Sequence, residues 1–278
     1  MIFRIAQISD THLSPREPAF EANFVALAAH LRRSKPDLVI NTGDLTVDGA
    51  DHEADLVHAR ALHDAIGLPW KAIPGNHDVG ENRELEDRQP FDEARRNRWL
   101  ATIGPDFWSL DVPGWRLLAI NSQLLGSGLA ADAEQTAFID DAVGGAAGRS
   151  ILLMIHKPLC DVGLEDYPRN GRFVTLDPRR TLLRALGARG ATTIACGHVH
   201  QFRDHVVAGV RHVWAPSSAF ILPAWFQPTF GERAAGYVEH ALNGDGTATA
   251  TLIAPETMRL LDIADHPEVY GQLARKRV

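Results

Sequence analysis

Five short stretches of this chain carry side chains able to bind a metal ion or move a proton. They are Asp10-Thr11-His12, Gly43-Asp44, Gly75-Asn76-His77-Asp78, the lone His156, and Gly197-His198-Val199-His200. In extended chain, residues i and i+2 point to the same side, so Asp10 and His12 can grip one cation, and His198 and His200 share that spacing. Asp44 follows Gly43, whose missing side chain lets a backbone or an ion approach closely. Asn76 offers a neutral amide oxygen and His156 an imidazole. Asp10, His12, Asp44, Asn76, His156, His198 and His200 together make seven oxygen or nitrogen donors with no thiolate. That is too many for one four-coordinate ion. It suits two ions sharing a bridging carboxylate, in the five- or six-coordinate N/O shells of Mn²⁺, Fe, Co²⁺ or Zn²⁺.

Each block alone reads as a surface turn or a satisfied core histidine. What sets them apart is where they fall. Apolar, strand-like runs precede them: FRIAQISD (3–10), DLVINTGD (37–44), WKAIPGNHD (70–78), SILLMIHKP (150–158) and ATTIACGHVH (191–200). A further run, WRLLAINS (115–122), ends in Asn121-Ser122. Residues 19–34, 51–66, 92–103, 132–143 and 178–189 read as helices between them, with Phe20, Phe24, Leu27 and Leu31 on one face of the first. Strands alternating with helices predict a layered α/β fold, in which ligands gather where strands end. Residues 240–255 predict a β-hairpin around Asn243-Gly244-Asp245-Gly246, so the sheets should be mixed. No repeat or linker divides the chain. Residues 1–255 are expected to form one catalytic domain, with 256–278 a tail packed on it.

At 278 residues, with 45% hydrophobic and 23% charged side chains, the chain can bury a large core. Its net charge of −7 argues against a nucleic-acid polymer or an anionic membrane as partner. No apolar run approaches the roughly 18 residues of a membrane span. The opening MIFRIAQISD lacks the features of a signal peptide. Cys160 and Cys196 are the two cysteines, which fits a reducing compartment, and the expected location is the cytoplasm.

In order and in wording, the five blocks resemble the calcineurin-like metallophosphoesterases, whose pattern is D-x-H, GD, GNH[DE], a lone His and G-H-x-H. GNHD and GDLT look most like the branch that includes class III cyclic-nucleotide and glycerophosphodiester phosphodiesterases. The resemblance implies a four-layer α/β/β/α sandwich and a binuclear centre. Asp10, His12, Asp44 and His200 would hold one ion; Asp44 would bridge to a second, completed by Asn76, His156 and His198. It implies hydrolysis of a small phosphodiester by a metal-bridging hydroxide. Two divalent ions against Asp10, Asp44 and that hydroxide leave about +1 at the site, enough to attract an anion to an acidic protein.

His77 is left over once the ligands are assigned. With Asn76 it is expected to contact the phosphate, and to protonate the leaving alkoxide. Related phosphatases commonly carry a supporting aspartate three residues after the GD aspartate, where this chain has Val47. Either Asp48 or Asp78 substitutes, or His77 has no carboxylate partner. Cys196 reads as a buried thiol, and Asn121 and Ser122 as partners of a neighbouring loop. Arg169 and Arg172 read as solvated loop residues, or as contacts to a phosphate or ribose. The stretch 214–230 reads as core, as a pocket wall stacking on a base, or as a contact between copies in a homo-oligomer. His30, His52, His58, His63, His205, His212, His240 and His266 match no block. The reading is a binuclear metal-dependent phosphodiesterase. Its rivals are a phosphomonoesterase with the same centre and a scaffold that kept the fold without the chemistry.

Overall fold

Strand β1 (Ile2–Ile8) explains why its sequence is apolar at consecutive positions: both of its faces are buried. Ile5 packs into the core between two sheets, whereas Ala6 and Ile8 turn towards helices. The same division runs through β2 (Leu38–Asn41), where Leu38 and Ile40 face the other sheet and Val39 faces helices. In the second sheet, β5 (Trp115–Ile120) sends Leu117 and Ala119 inward and Leu118 and Ile120 outward. Strand β6 (Ser150–Ile155) splits likewise, with Leu152 and Met154 against Ile151, Leu153 and Ile155. These apolar cores stack helices, sheet, sheet and helices into four layers. Each fully buried Leu, Ile or Phe contributes roughly 1.5–3 kcal/mol.

The computed structural model describes residues 2–82, 89–166, 171–187, 191 and 193–270. Its first sheet has the order β11-β10-β1-β2-β3, with β3 at Trp70–Ala72, β10 at Tyr237–Asn243 and β11 at Ala248–Ile253. The second has the order β4-β5-β6-β7-β9-β8. Here β4 is Trp108–Val112, β7 Thr193–Cys196, β8 Arg203–Val207 and β9 Val210–Trp214. Pairing is parallel along β1-β2-β3 and β5-β6-β7-β9, and antiparallel at β10, β11, β4 and β8, so both sheets are mixed. Helices α1 (Glu21–Ser34), α2 (Glu53–Asp64) and α4 (Glu93–Thr102) cover the first sheet. Helices α5 (Ala130–Gly144) and α6 (Leu176–Leu186) cover the second.

The expected helices and hairpin therefore form. Strands β4 and β8 and most of β9 lie outside the stretches singled out by sequence, and the Asn76-His77-Asp78 block forms a single helical turn, α3 (Asn76–Val79). Phe20 leaves the face shared by Phe24, Leu27 and Leu31 and packs with Phe220, Ile263, Val269 and Tyr270. That cluster seats residues 258–270 across the body, and Asn23 ties them down by accepting from Arg259 N (2.8 Å) and donating to Arg259 O (2.8 Å). Residues 271–278 of the tail and Arg169 lie outside the described residues. Among the described residues, no helix is long and apolar enough to cross a membrane.

Candidate metal centre

Parallel strands bring their C-terminal ends to one edge, so the loops after β1, β2, β3, β6 and β7 meet there. Six donors gather in two groups: Asp10, His12 and His200, and Asp44, His156 and His198. Within each group the ligand atoms lie within 4.8 Å of one another. In the first, His12 Nε2 is 3.3 Å and Asp10 Oδ1 3.2 Å from His200 Nε2. In the second, His156 Nε2 is 3.3 Å from Asp44 Oδ2 and 3.1 Å from His198 Nδ1. The groups adjoin, since His198 N donates to both Asp10 oxygens at 3.0 and 3.2 Å.

The extended-chain argument for Asp10-x-His12 and His198-x-His200 is not how the pairs work. Strand β1 stops at Ile8, and Asp10, His12, Asp44, His198 and His200 all adopt left-handed backbone, with φ between 42° and 69°. Such conformations are uncommon outside glycine and cost of order 1–3 kcal/mol each, persisting where the surroundings over-determine them. The turns aim neighbours at different targets, which is why His198 and His200 fall into separate groups despite their shared spacing.

Two glycines make the crowding feasible. Gly43 sits at φ +107°, and a Cβ there would run into the His156 ring. A Cβ on Gly75 would overlap the Asp44 carboxylate. Three of the four donor histidines are oriented from behind by main-chain carbonyls: His156 Nδ1 donates to Thr42 O (2.8 Å), His198 Nε2 to Gly171 O (2.8 Å) and His200 Nδ1 to Phe220 O (3.0 Å). The opposite ring nitrogen is thereby left as a lone pair for the site.

Electrostatics follow from burial and proximity. Burial opposes the Asp44 charge, but His156, His77 and His12 together hold its carboxyl well below the ordinary range. Burial likewise disfavours a charged His156, yet Asp44 and Asp10 push it up to about 9. His12 and His198 go the other way, held well below the ordinary imidazole value by burial and by neighbouring cationic groups.

The fit to metal ions rests on donor chemistry and on one orphan. Two carboxylates and four imidazoles converge without a thiolate, and the buried Asn76 Oδ1 has no hydrogen-bond partner. A buried acceptor left unpaired costs about 1–3 kcal/mol, which an ion at that position would remove. Asn76 and His77 line, with His12, Asp44, His198, His200 and Tyr270, a cavity of about 650 Å³. Asp10 and His156 lie fully buried at 0% exposure beneath its lining.

His77 starts α3. Its N donates to Asp44 Oδ1 (2.9 Å), and its Nδ1 donates to the main-chain carbonyl of Val47 (2.9 Å), leaving Nε2 for the cavity. Neither carboxylate alternative holds. Asp48 accepts from Gln89 Nε2 (2.7 Å). Asp78 turns away and accepts from the backbone N–H groups of Leu45, Thr46 and Gly75 at 2.9–3.1 Å. Burial and Asp44 push its carboxyl up to about 6.

Arg172, Phe220, Leu222, Phe226 and Gln227 complete the lining, with the Phe220 ring 4.7 Å from those of His12 and His200. Arg172 donates to Phe226 O (2.9 Å) and lies over that ring, so it is packed rather than freely solvated. The 214–230 stretch is divided: Trp214 and Phe220 are buried, while Trp225 and Phe226 are 43% and 41% exposed. Asn121 bonds Asp106 and Gln135, and Cys196 is a buried free thiol. His63, His212 and His240 are buried away from the site. Phe220 to Gln227 lie in the 214–230 stretch, where the pocket-wall alternative applies to these residues and the core alternative to Trp214, whereas Tyr270 carries no signal in the sequence.

Comparison with known proteins bears on this arrangement. The family described as calcineurin-like phosphoesterase matches residues 3–202. A probable glycerophosphodiester phosphodiesterase of Arcobacter nitrofigilis is 29% identical over 209 residues, covering 71% of each chain. A probable cyclic nucleotide phosphodiesterase of Synechococcus is 29% identical over 218 residues, covering 72% of this chain and 74% of its own. The crystal structure of a dimetal phosphatase from Danio rerio superposes with a TM-score of 0.60 at 13% identity, covering 90% of this chain and 98% of that one.

Proposed function

The chain belongs to the calcineurin-like phosphoesterase family, and from that membership we propose that it is a metal-dependent phosphodiesterase with glycerophosphodiesters or cyclic nucleotides as substrates. The observation that carries this reading is the pair of adjoining donor groups beneath one cavity, with Asn76 Oδ1 unpaired beside them. The names of the two relatives support a diester over a monoester.

Asp10, His12 and His200 would hold one ion, and Asn76, His156 and His198 the other, with Asp44 serving both. Divalent ions bound there supply Lewis acidity, acidifying a water and offsetting charge on the phosphate oxygens; Mn²⁺, Fe, Co²⁺ and Zn²⁺ suit the donor set. The chain's own part is positioning and proton transfer. Asn76 and His77, consecutive on α3, both line the cavity and would contact the phosphate there. In the imidazolium form His77 donates through both nitrogens, Nδ1 to Val47 O and Nε2 to the leaving oxygen. The wall of Arg172, Phe220 and Phe226 then receives the organic part of the ester. Buried free cysteines fit a cytoplasmic setting.

The test is to strip the protein with a chelator, reload it with Mn²⁺, Fe²⁺, Co²⁺ or Zn²⁺, and compare bis-p-nitrophenyl phosphate with p-nitrophenyl phosphate before a panel of natural diesters. Metal-restored turnover favouring the diester is expected. Preference for the monoester would replace the reading with a phosphomonoesterase, and failure to take up metal would leave a scaffold.

A further inference from the structure

The ligand histidines differ in what orients them. His156, His198 and His200 each donate to a main-chain carbonyl close to the strand-end loops. His12 instead places Nδ1 2.8 Å from the Tyr270 hydroxyl, 258 residues away in sequence. With Nε2, which faces His200 Nε2, given to the proposed ion, Nδ1 carries the hydrogen and donates it to Tyr270 Oη. The hydroxyl's own hydrogen then goes to Val47 O (3.3 Å), since a carbonyl can only accept. Tyr270 Oη is also 3.3 Å from His77 Nδ1, and the Tyr270 ring packs edge-on to both histidines at centroid distances of 5.8 and 5.2 Å.

The docked segment before it carries Tyr270 to that place. Ile221 and the segment exchange backbone bonds, Ile221 N to Leu261 O (2.8 Å) and Ile263 N to Ile221 O (3.1 Å). Asn23 clamps both partners, donating to Ala219 O (3.0 Å) and bonding Arg259 through its amide. Phe20, Phe220, Ile263 and Val269 close the apolar contact beneath. The neighbouring Phe220 O is itself the acceptor for His200 Nδ1, so one docked unit stands behind both histidines of the first donor group.

We infer that Tyr270 is a positioning residue for the first metal ion, and that docking of residues 258–270 is thereby built into that ion's affinity. This rests on the metal centre proposed above. Partners of this kind raise a ligand's basicity and fix its ring, and their loss typically weakens metal binding about 10- to 100-fold. The second donor group has no contact of this kind with Tyr270 among the described residues, so the effect should be confined to one ion.

Tyr270→Phe keeps the ring and removes the hydroxyl. Mn²⁺ and Zn²⁺ binding to the full chain, titrated against a competing chelator, should resolve two ions in the wild type. His12→Ala identifies which step belongs to the first ion. In Tyr270→Phe that same step should weaken about 10- to 100-fold while the other holds, with the thermal midpoint of the metal-free protein unchanged. Asn23→Ala, which loosens the docked segment, should weaken the same step. Two unchanged affinities, or equal weakening of both, would overturn the inference while leaving the metal centre standing. A wild type that binds no metal would remove the centre and the inference together.

Discussion

His77 donates from Nδ1 to the backbone carbonyl of Val47 at 2.9 Å. The partner of the proposed proton donor is therefore main chain, and the identity of the side chain at position 47 is irrelevant to it. This explains how the chain dispenses with a carboxylate at that place. Asp48 and Asp78 are occupied elsewhere, the one with Gln89 and the other with the loop from Leu45 to Thr46.

His77→Ala should keep both ions and lose about 10²- to 10⁴-fold in kcat on an alkyl diester. The loss should be much smaller on bis-p-nitrophenyl phosphate, whose leaving group needs no proton. Val47→Ala, which retains the carbonyl, should stay close to wild type. Metal analysis beside kinetics on the two substrates checks this, and equal losses on both would remove His77 as the acid.

Asn76→Ala deletes the unpaired buried Oδ1. One ion should bind at least about 10-fold more weakly, and the variant should not be destabilised in its metal-free form, because that oxygen has no protein partner to lose. Isothermal titration with Mn²⁺ alongside a urea melt distinguishes the outcomes. Undiminished affinity for both ions would exclude Asn76 as a ligand.

Asp78 accepts from three backbone N–H groups and from Thr46 Oγ1 at 2.6 Å. Asp78→Ala leaves these buried donors unpaired and should cost more than about 3 kcal/mol. Because Asp44 lies in the same loop, metal affinity should fall with it. Asp78→Asn retains one acceptor oxygen and should lose less. Urea midpoints rank the three proteins, and an Asp78→Ala protein as stable as wild type would contradict the role.

His240 is fully buried, donates from Nε2 to Gln7 Oε1 (2.8 Å), and burial pulls its value down to about 4. The unfolded chain, with an ordinary histidine near 6.5, binds the extra proton first. Its contribution is thus fully present above about 6.5 and is lost as pH falls towards 4. At pH 5 the loss is on the order of 2 kcal/mol. His240→Gln can keep the bond to Gln7 without a titrating ring, so its stability should fall less than that of the wild type between pH 7 and pH 5. Parallel curves for the two metal-free proteins would refute this.

Periodicity and ligand type made much of this molecule readable in one dimension. Apolar runs ending in Asp, His or Asn declared both the parallel strands and the edge where donors gather, because a strand buried on two faces must be apolar throughout and must spend its polar residues at its end. The short strands β4, β8 and β9 carry no such signature; exposed residues such as Ser109 and Asp204 read as loop until a neighbour pairs with them. Donor identity was likewise legible, but donor direction was not. Left-handed turns at Asp10, His12, Asp44, His198 and His200 depend on what packs around each loop, and i, i+2 spacing cannot report them. Nor can a sequence show that a partner is a carbonyl, since every residue has one; only proximity singles out Val47 for His77 and Phe220 for His200. Tyr270 is the extreme case: its hydroxyl reaches His12 only because residues 258–270 dock beside Phe220, a contact made across 258 positions by apolar burial rather than by any local pattern.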